Sequence, residues 1–174
     1  MNQTINDILQ RRSIKKYNER KVSEEDLDTI LECGLYAPSG SNKQSAIMWA
    51  IEDKELIRKL EMMNAKVVGN DPERSHNFYG ASVIIIVLAD QKASTNVYDG
   101  SLVMANLMLA AKALDIGSCW INRSKQMFET QEGKALLEEH GIEGDYEGIG
   151  ICLLGYYDEE PSAKPRRENR IFKN

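Results

Sequence analysis

The run Ser-Val-Ile-Ile-Ile-Val-Leu-Ala at residues 82–89 constrains the fold more than any other part of the sequence. β-branched side chains favour extended backbone. An apolar run without alternation indicates a strand that is buried on both faces. A second run of this kind covers residues 149–156. The sequence therefore predicts two buried strands, with the first at the centre of the sheet.

Helical patterns surround these two strands. Thr4 is expected to cap a short helix ending near Gln10, and Ser23 a second helix that stops at Gly34. Residues 98–114 are apolar on nearly every side of a helix, which is typical of a helix inside a domain or across a subunit interface. The other expected elements are strands at 46–52 and 118–122, a short helix capped by Asp53, a turn ending at Gly117, and a charged surface helix at 130–140.

Residues 64–80 show no clear period. This stretch is polar and contains Pro72 and two glycines, so it is expected to form a loop or a lid near a site. Because helices and strands are mixed without strict alternation, the order of elements favours a layered α+β domain over a doubly wound sheet. The chain has 174 residues, and residues 1–174 are expected to form a single domain.

Composition limits the possible partners and the compartment. A net charge of -5 and a pI near 5.2 argue against nucleic acid, because proteins that bind it usually carry a basic excess. No apolar run approaches the ~18 residues of a membrane helix, and the first residues lack a signal pattern. Cys33, Cys119 and Cys152 are expected to be reduced core residues. We therefore expect a soluble, cytoplasmic protein without a membrane partner.

A cationic cluster, Arg11-Arg12-Ser13-Ile14-Lys15, follows the first predicted helix and is called the 11–15 segment below. A phosphate monoester carries nearly two negative charges, and forked arginines with a hydroxyl satisfy its oxygens well. The alternative is that these cations complement the dipole at the end of a helix and face water. The cluster alone leaves both interpretations open.

A loop of small and polar residues, Pro38-Ser39-Gly40-Ser41-Asn42-Lys43-Gln44, follows the second predicted helix and is called the 38–44 loop below. Gly40 allows close approach of backbone to a ligand, while the hydroxyl and amide side chains offer neutral donors and acceptors. Such a set suits the heteroatom edge and polyol of a cofactor. An ordinary connection between a helix and a strand uses the same residue types.

The last part of the chain is basic. Lys164, Arg166 and Arg167 lie around Pro165. Two interpretations are open: a solvated tail on an acidic protein, or a tail that returns to the same phosphate as the 11–15 segment.

Other cofactor and metal signatures do not fit. Gly148, Gly150 and Gly155 do not match the spacing of a dinucleotide-binding loop, and they lie within a predicted strand. His76 and His140 have no partners at ligand spacing, so no metal site is expected. Cys119 beside Trp120 has no basic neighbour before Arg123, which favours a buried structural thiol over a redox thiol. There is also no P-loop.

These motifs resemble the FMN-dependent nitroreductases. The residues that carry the resemblance are Arg11-Arg12-Ser13 with Lys15, Ala37-Pro38-Ser39-Gly40 with Asn42 and Gln44, Asn106 to Trp120 with Leu109-Ala110-Ala111 and Ile116-Gly117-Ser118-Cys119-Trp120, and Gly155-Tyr156 with Lys164-Pro165-Arg166. The resemblance covers nearly the whole chain outside residues 64–80. It implies a nitroreductase-like α+β fold, with a mainly antiparallel central sheet flanked by helices in an intertwined homodimer. Ser45 and Ala46 depart from the pattern, since the family often has Pro and Trp there.

The resemblance also implies roles for individual residues. Lys15 is the expected catalytic residue, because its charge near the pyrimidine edge of the isoalloxazine would stabilise negative charge on two-electron reduction. The 38–44 loop is expected to contact the flavin partly from the neighbouring subunit. The full set of expected FMN-binding residues is Arg11, Arg12, Ser13, Lys15, Pro38, Ser39, Gly40, Asn42, Gln44, Cys119, Trp120, Ile121, Lys164 and Arg166.

The expected function is an NAD(P)H-dependent oxidoreductase of nitroreductase type. A hydride would pass from NAD(P)H to the flavin, and a nitroaromatic, quinone or similar acceptor would take the electrons in a ping-pong scheme. The absence of a separate nicotinamide motif agrees with two substrates that use one flavin face in turn. Three alternatives remain: another flavin reaction on the same scaffold (dehalogenation or flavin fragmentation), a non-catalytic FMN-binding or sensing dimer, and a plain structural α+β protein.

Overall fold

A computed structural model describes residues 2–174 of the chain. Within these residues, four strands form one sheet in which every neighbouring pair is antiparallel. The strands are β1 (Ala46–Ile51), β2 (Val83–Asp90), β3 (Gly117–Ile121) and β4 (Tyr146–Gly155), and their order across the sheet is β1-β2-β4-β3. β2 and β4 are therefore the inner strands, which confirms that both continuous apolar runs are buried strands and that the first is central.

Helices cover both faces of the sheet. They are α1 (Gln3–Gln10), α2 (Glu24–Leu35), α3 (Lys54–Val68), α4 (Asn96–Ala113), α5 (Ser124–Glu129) and α6 (Gln131–Glu139). Ile84, Ile86 and Leu88 of β2 pack in one apolar cluster with α3, α5 and α6. The alternate residues Val83, Ile85 and Val87 pack in a second cluster with α2 and α4. The absence of alternation in β2 thus reflects a helical layer on each side, and the α+β prediction is confirmed.

Side-chain caps set the starts of α1, α2, α3 and α6, whereas α4 and α5 begin without one. The Ser23 hydroxyl accepts a hydrogen bond from the Asp26 N–H at 3.1 Å, and a carboxylate oxygen of Asp53 accepts one from the Leu56 N–H at 2.7 Å. Both caps agree with the sequence prediction. The prediction for α1 is wrong, because the Asn2 side chain caps this helix and Thr4 lies inside it.

Two other predicted boundaries are wrong for reasons of packing. Gly34 lies inside the last turn of α2, where a Cβ would crowd the Met48 sulfur and Leu107. Gly117 begins β3 and does not end the preceding turn, which contains Asp115 at φ 55°. α5 was not predicted, and Cys33 is only half buried, whereas the other two cysteines are fully buried as expected.

The expected loop at residues 64–80 is helical in its first part. α3 continues to Val68 and ends at Gly69, which has φ 78° and forms a left-handed C-cap. The rest of the stretch is tied to α3 through Arg58, which donates to the carbonyl oxygens of Pro72 at 3.0 Å and Ser75 at 2.6 Å. Glu61, paired with Arg58 at 2.7 Å, accepts the Phe78 N–H. This segment is therefore held against α3 by a partly buried ion pair.

No helix among residues 2–174 is long and apolar enough to cross a membrane. The same residues bring together no group of three or more histidine, cysteine or acidic side chains suited to a metal ion.

Candidate functional site

The 11–15 segment runs along the outer edge of β3. Arg11 ends α1, with its N–H donated to the Asp7 carbonyl at 2.8 Å. The Ile14 N–H donates to the Ser118 carbonyl at 2.9 Å, and Ser13 pairs with Ser118 in parallel. Burial of Ile14 under the sheet fixes the segment further. The backbone of the 11–15 segment is thus hydrogen-bonded along the edge of β3, in the way that a neighbouring strand would be.

Several predicted site residues meet around Cys119. Burial raises the pKa of the Cys119 thiol, and the neighbouring Lys15, Ser13 and Arg11 offset part of this rise. The thiol is therefore neutral at physiological pH, as the interpretation of a buried structural cysteine predicts. Trp120 points to the opposite face of the sheet, where its indole packs over Gly150. Ile121, next in β3, lies on the same side as Cys119.

The two arginines of the segment have different partners. Arg12 uses its Nη1 to donate to the carbonyl oxygens of Leu9 at 2.8 Å and Arg11 at 2.9 Å, so it closes the end of α1. Arg11 has a buried Nη1 that donates to no group among residues 2–174. An unpaired buried donor on a charged group is costly, and an anion would remove that cost. Arg11 therefore fits a phosphate, while the structure also supports the helix-end interpretation for Arg12.

Two tyrosines extend the site beyond the residues that the sequence predicted. The Lys15 ammonium lies 5.8 Å from the centre of the Tyr79 ring, within the range of a cation–π contact. Tyr79 has φ 54° and precedes Gly80 at φ 76°, so a left-handed turn aims the ring toward Lys15. The Tyr17 hydroxyl is buried and has no hydrogen-bond partner in the part of the chain that the structure describes, and burial raises its pKa. The only sequence signal for Tyr79 was an aromatic residue at the end of an irregular stretch.

The 38–44 loop contains a 3₁₀ turn at Gly40–Asn42. The Ser39 hydroxyl accepts the Gln44 N–H at 2.9 Å, and the Gln44 and Asn42 side chains lie 3.3 Å apart. Gly40 is required by packing within the chain, since a Cβ there would overlap the Thr95 side chain. The Gly40 N–H donates to Asp99 of α4 at 2.9 Å. The loop is thus ordered by its own chain and presents exposed side chains at residues 41–44.

The basic tail is exposed and lacks regular structure. It is attached near its start, where Asp158 accepts from Asn18 at 2.8 Å and Glu160 pairs with Lys112 at 3.1 Å. Among residues 2–174, Lys164 and Arg166 make no hydrogen bond or ion pair with the 11–15 segment. A single chain therefore does not bring these two residues to Arg11.

The 11–15 segment and the 38–44 loop lie at opposite corners of the sheet. Ser13 pairs outside β3 at one edge, whereas the 38–44 loop leads into β1 at the other edge. The pairing of β3 through β4 sets Ser118 level with Val83 on β2. β1 begins at Ala46, which is level with Ala89. Four strand spacings across the sheet and six residues along β2 separate the two segments by roughly 25 Å.

A cleft of about 1120 Å³ lies beside Tyr17 and α3. Its lining includes Val22, Arg58, Glu61 and Phe78, and none of the predicted site residues. Arg11, Ser13, Lys15 and Cys119 thus do not line the cleft, which borders their meeting place at Tyr17.

The antiparallel sheet between helical layers, with the cationic segment along β3, defines an α+β protein that has, among residues 2–174, an unpaired arginine donor at the edge of its sheet. The chain belongs to the nitroreductase family, because the sequence model of the Nitroreductase family matches residues 8–156. The resemblance found in the sequence is thereby confirmed.

Individual relatives agree with this assignment. A protein of Archaeoglobus fulgidus, provisionally named an NADH dehydrogenase/NAD(P)H nitroreductase, is 33% identical over 168 aligned residues, which cover 92% of this chain and 88% of the relative. The NADPH-flavin oxidoreductase of Vibrio harveyi is 27% identical over 188 residues, covering 95% of this chain and 70% of the relative. The crystal structure of a Bacteroides fragilis nitroreductase with bound FMN matches with a TM-score of 0.90 and 26% identity, covering 99% of this chain and 98% of that one.

Proposed function

We propose that this protein is an FMN-dependent oxidoreductase that oxidises NAD(P)H and reduces a nitroaromatic, a quinone or a similar small acceptor. The observation that carries the proposal is the buried, unpaired Nη1 of Arg11 beside Ser13, Lys15 and Cys119 in a chain of the nitroreductase family. FMN is present in the similar Bacteroides fragilis structure, and the Vibrio harveyi relative is named for NADPH and flavin.

The residues present fit FMN in their chemistry. Arg11 and Ser13 would hold the phosphate with the forked donors and hydroxyl that a dianion requires, and Arg12 would add its charge. Lys15 is exposed and cationic, and would sit at the pyrimidine edge. Lys164 and Arg166 would reach the phosphate from the tail. Pro38, Ser39, Gly40, Asn42 and Gln44 would contact the ring, with Trp120 and Ile121 lining it mainly through backbone.

When bound, FMN supplies the two-electron chemistry by accepting a hydride from NAD(P)H and passing electrons to the acceptor. The role of Lys15 would be electrostatic, because its ammonium would favour the build-up of negative charge on a flavin bound beside it. Tyr79 holds this ammonium by contact with its ring. Cys119 stays a neutral thiol and does not cancel the charge of Lys15. One open flavin face would serve donor and acceptor in turn, in a ping-pong scheme.

The site requires a second copy of the chain. A distance of roughly 25 Å between the 11–15 segment and the 38–44 loop is too long for one isoalloxazine ring system to contact both. A homodimer places the loop of one subunit beside the arginines of the other. Exposed apolar residues supply surface for such an interface: Ile5, Ile8 and Leu9 of α1, Leu35 and Tyr36 at the end of α2, and Val97, Tyr98 and Leu102 of α4.

The absorbance spectrum of the purified protein and its steady-state kinetics test the proposal together. We expect flavin bands that survive desalting, oxidation of NADH or NADPH with a nitroaromatic or quinone, and parallel lines in double-reciprocal plots, as a ping-pong scheme requires. Retained FMN without turnover would favour a non-catalytic binding or sensing dimer. A colourless protein that takes up no added FMN would contradict the proposal.

A further inference from the structure

Asp99, in the first turn of α4, is a buried carboxylate that the proposed chemistry does not use. It is 3% exposed and accepts three hydrogen bonds. One oxygen accepts the Gly40 N–H at 2.9 Å. The other accepts the hydroxyl of Ser45 at 2.6 Å and that of Thr95 at 3.1 Å. Gly40 belongs to the 38–44 loop and Ser45 directly follows it, so Asp99 holds both ends of the loop's turn.

The 38–44 loop needs such an anchor because its backbone is strained. Ser41, Asn42 and Gln44 have φ values of 52°, 53° and 49°, in the left-handed region that side chains other than glycine disfavour. Residues in this region persist only where their surroundings hold them there. Within the loop, the Ser39 hydroxyl holds the Gln44 N–H. The contacts to Asp99 tie the strained turn to α4, and the Asp90 N–H, which donates to the Ser45 carbonyl at 2.9 Å, ties the end of the turn to β2.

Ser45 makes its contact with Asp99 at the end of the loop. It is 8% exposed and directs its hydroxyl to the carboxylate. A buried hydrogen bond to an ionised acceptor is among the stronger polar contacts in proteins. This bond therefore restrains the end of the loop.

The charge state of Asp99 agrees with this role. Burial by itself would raise the pKa of the carboxyl, but hydrogen bonds from Ser45, Gly40 and Thr95 outweigh burial and hold the pKa below its ordinary value. The positive charge of Lys43 acts in the same direction. Asp99 is thus ionised at physiological pH and can accept from both hydroxyls at once.

We propose that Asp99 is a positioning residue which, through Ser45 and Gly40, fixes the 38–44 loop in the conformation that contacts the flavin. Asp99 itself does not touch the flavin. The proposal rests on the proposed function, because the loop's contact with FMN is part of that function. It adds that the contacts between the loop and the flavin ring depend on Asp99, a carboxylate on α4.

The test compares Ser45→Ala and Asp99→Asn with the wild type by three measurements. The first is hydrogen exchange of the loop amides in the FMN-free protein, which does not depend on flavin. The second is the dissociation constant of FMN, and the third is the visible circular dichroism of bound FMN. We expect faster exchange at residues 40–44 in both variants, and FMN binding weaker by about fivefold for Ser45→Ala and about tenfold for Asp99→Asn. We also expect an altered dichroism band.

Ser101→Ala is the matched control. It removes a hydroxyl hydrogen bond of 2.6 Å from the same helix, but that bond goes to the Val97 carbonyl and not to the loop. This variant should match the wild type in all three measurements. Unchanged exchange in Ser45→Ala and Asp99→Asn would overturn the anchoring. If the loop amides exchange faster in these variants but FMN affinity and dichroism stay at the wild-type values, the proposal is also overturned. The contacts of Asp99 would then stabilise the loop without affecting the flavin. If the wild type binds no FMN, the proposed function fails. Hydrogen exchange of the loop amides then still tests whether Asp99 holds the 38–44 loop.

Discussion

At the scale of single residues, Arg11 and Arg12 are neighbours that differ in their hydrogen bonds: the Arg11 Nη1 is unpaired among residues 2–174, and the Arg12 Nη1 is paired. Arg11→Ala should weaken FMN binding by about 10- to 100-fold, because a buried hydrogen bond to a charged group is worth about 1.5–3 kcal/mol. Arg12→Ala should weaken it less, since the Arg12 Nη1 already bonds to the carbonyls of Leu9 and Arg11. Titration of FMN-free protein with FMN measures both. Lys16→Ala, an exposed neighbouring cation, is the control. A larger loss for Arg12→Ala than for Arg11→Ala would contradict this assignment.

The charge of Lys15 should appear in the reduction potential of the bound flavin. Lys15→Met removes a cation near the ring and should lower the two-electron midpoint potential by about 30 mV, equivalent to about 1.4 kcal/mol. Redox titration against a reference dye measures the shift. Tyr79→Phe keeps the aromatic ring that contacts Lys15 and should leave the potential close to that of the wild type. An unchanged potential in Lys15→Met would place the ammonium away from the flavin.

Asp99 should make stability depend on pH in the acid range. Its pKa in the folded protein is below the ordinary value of 3.8, so the folded state holds the proton less tightly than the unfolded state. The resulting stabilisation is fully present above pH 3.8 and is lost as the pH falls through the lower folded value. The difference in free energy of unfolding between wild type and Asp99→Asn should therefore be largest near neutral pH and shrink toward pH 3. Urea melts across this range measure it, and a constant difference would contradict the assignment.

At the scale of elements, local sequence patterns were enough to predict the strands and most helix starts. The ends of the helices depend on packing and could not be predicted in this way. β2 and β4 could be predicted because continuous apolar runs of this length are typical of strands buried on both faces. Gly34 could not be assigned, because its place inside α2 depends on Met48 and Leu107, which are distant in sequence. The end of α3 was missed because polar residues there are buried through long-range contacts, such as that of Asn64 with the Asn122 carbonyl.

The candidate site shows the same division. Residue types suggested the 11–15 segment and the 38–44 loop as candidates but left an ordinary structural role open for each, and the resemblance to the family supplied their assignment to FMN. Tyr79 and Asp99 were not predicted. Their roles come from a left-handed turn and from a buried carboxylate that meets the loop across more than fifty residues of sequence. Nothing in the local sequence around Tyr79 or Asp99 indicates these long-range contacts.

The ion pair between Arg58 and Glu61 should control the order of the segment after α3. Glu61→Ala removes the acceptor of the Phe78 N–H and leaves Arg58 without its carboxylate. Because Arg58 is one third exposed, the main loss is the acceptor of the buried Phe78 N–H, which should lower the free energy of unfolding by about 1–3 kcal/mol and speed amide exchange over residues 71–78. Lys59→Ala is the control, because its ion pair with Glu139 is exposed and 3.9 Å long. Slow exchange in Glu61→Ala would show that other contacts hold the segment.

At the scale of the whole molecule, the separation of the two site segments allows a direct test of the dimer. Arg11→Ala impairs one segment, and Asn42→Ala with Gln44→Ala impairs the other. If each site takes its arginine from one subunit and its loop from the other, a heterodimer of these two variants has one site with both defects and one with none. Co-expression with two affinity tags should therefore yield a dimer that binds one FMN with wild-type affinity.

The parent homodimers are the controls for this experiment, since every site in them carries one defect and should bind FMN weakly. If both segments acted within one subunit, the heterodimer would also have one defect in each site, and no tight binding would return. A monomer in solution would exclude the shared site altogether. Recovery of a single tight site is thus an outcome that only an exchange of the 38–44 loop between subunits produces, because the sheet holds that loop roughly 25 Å from the Arg11 of its own chain.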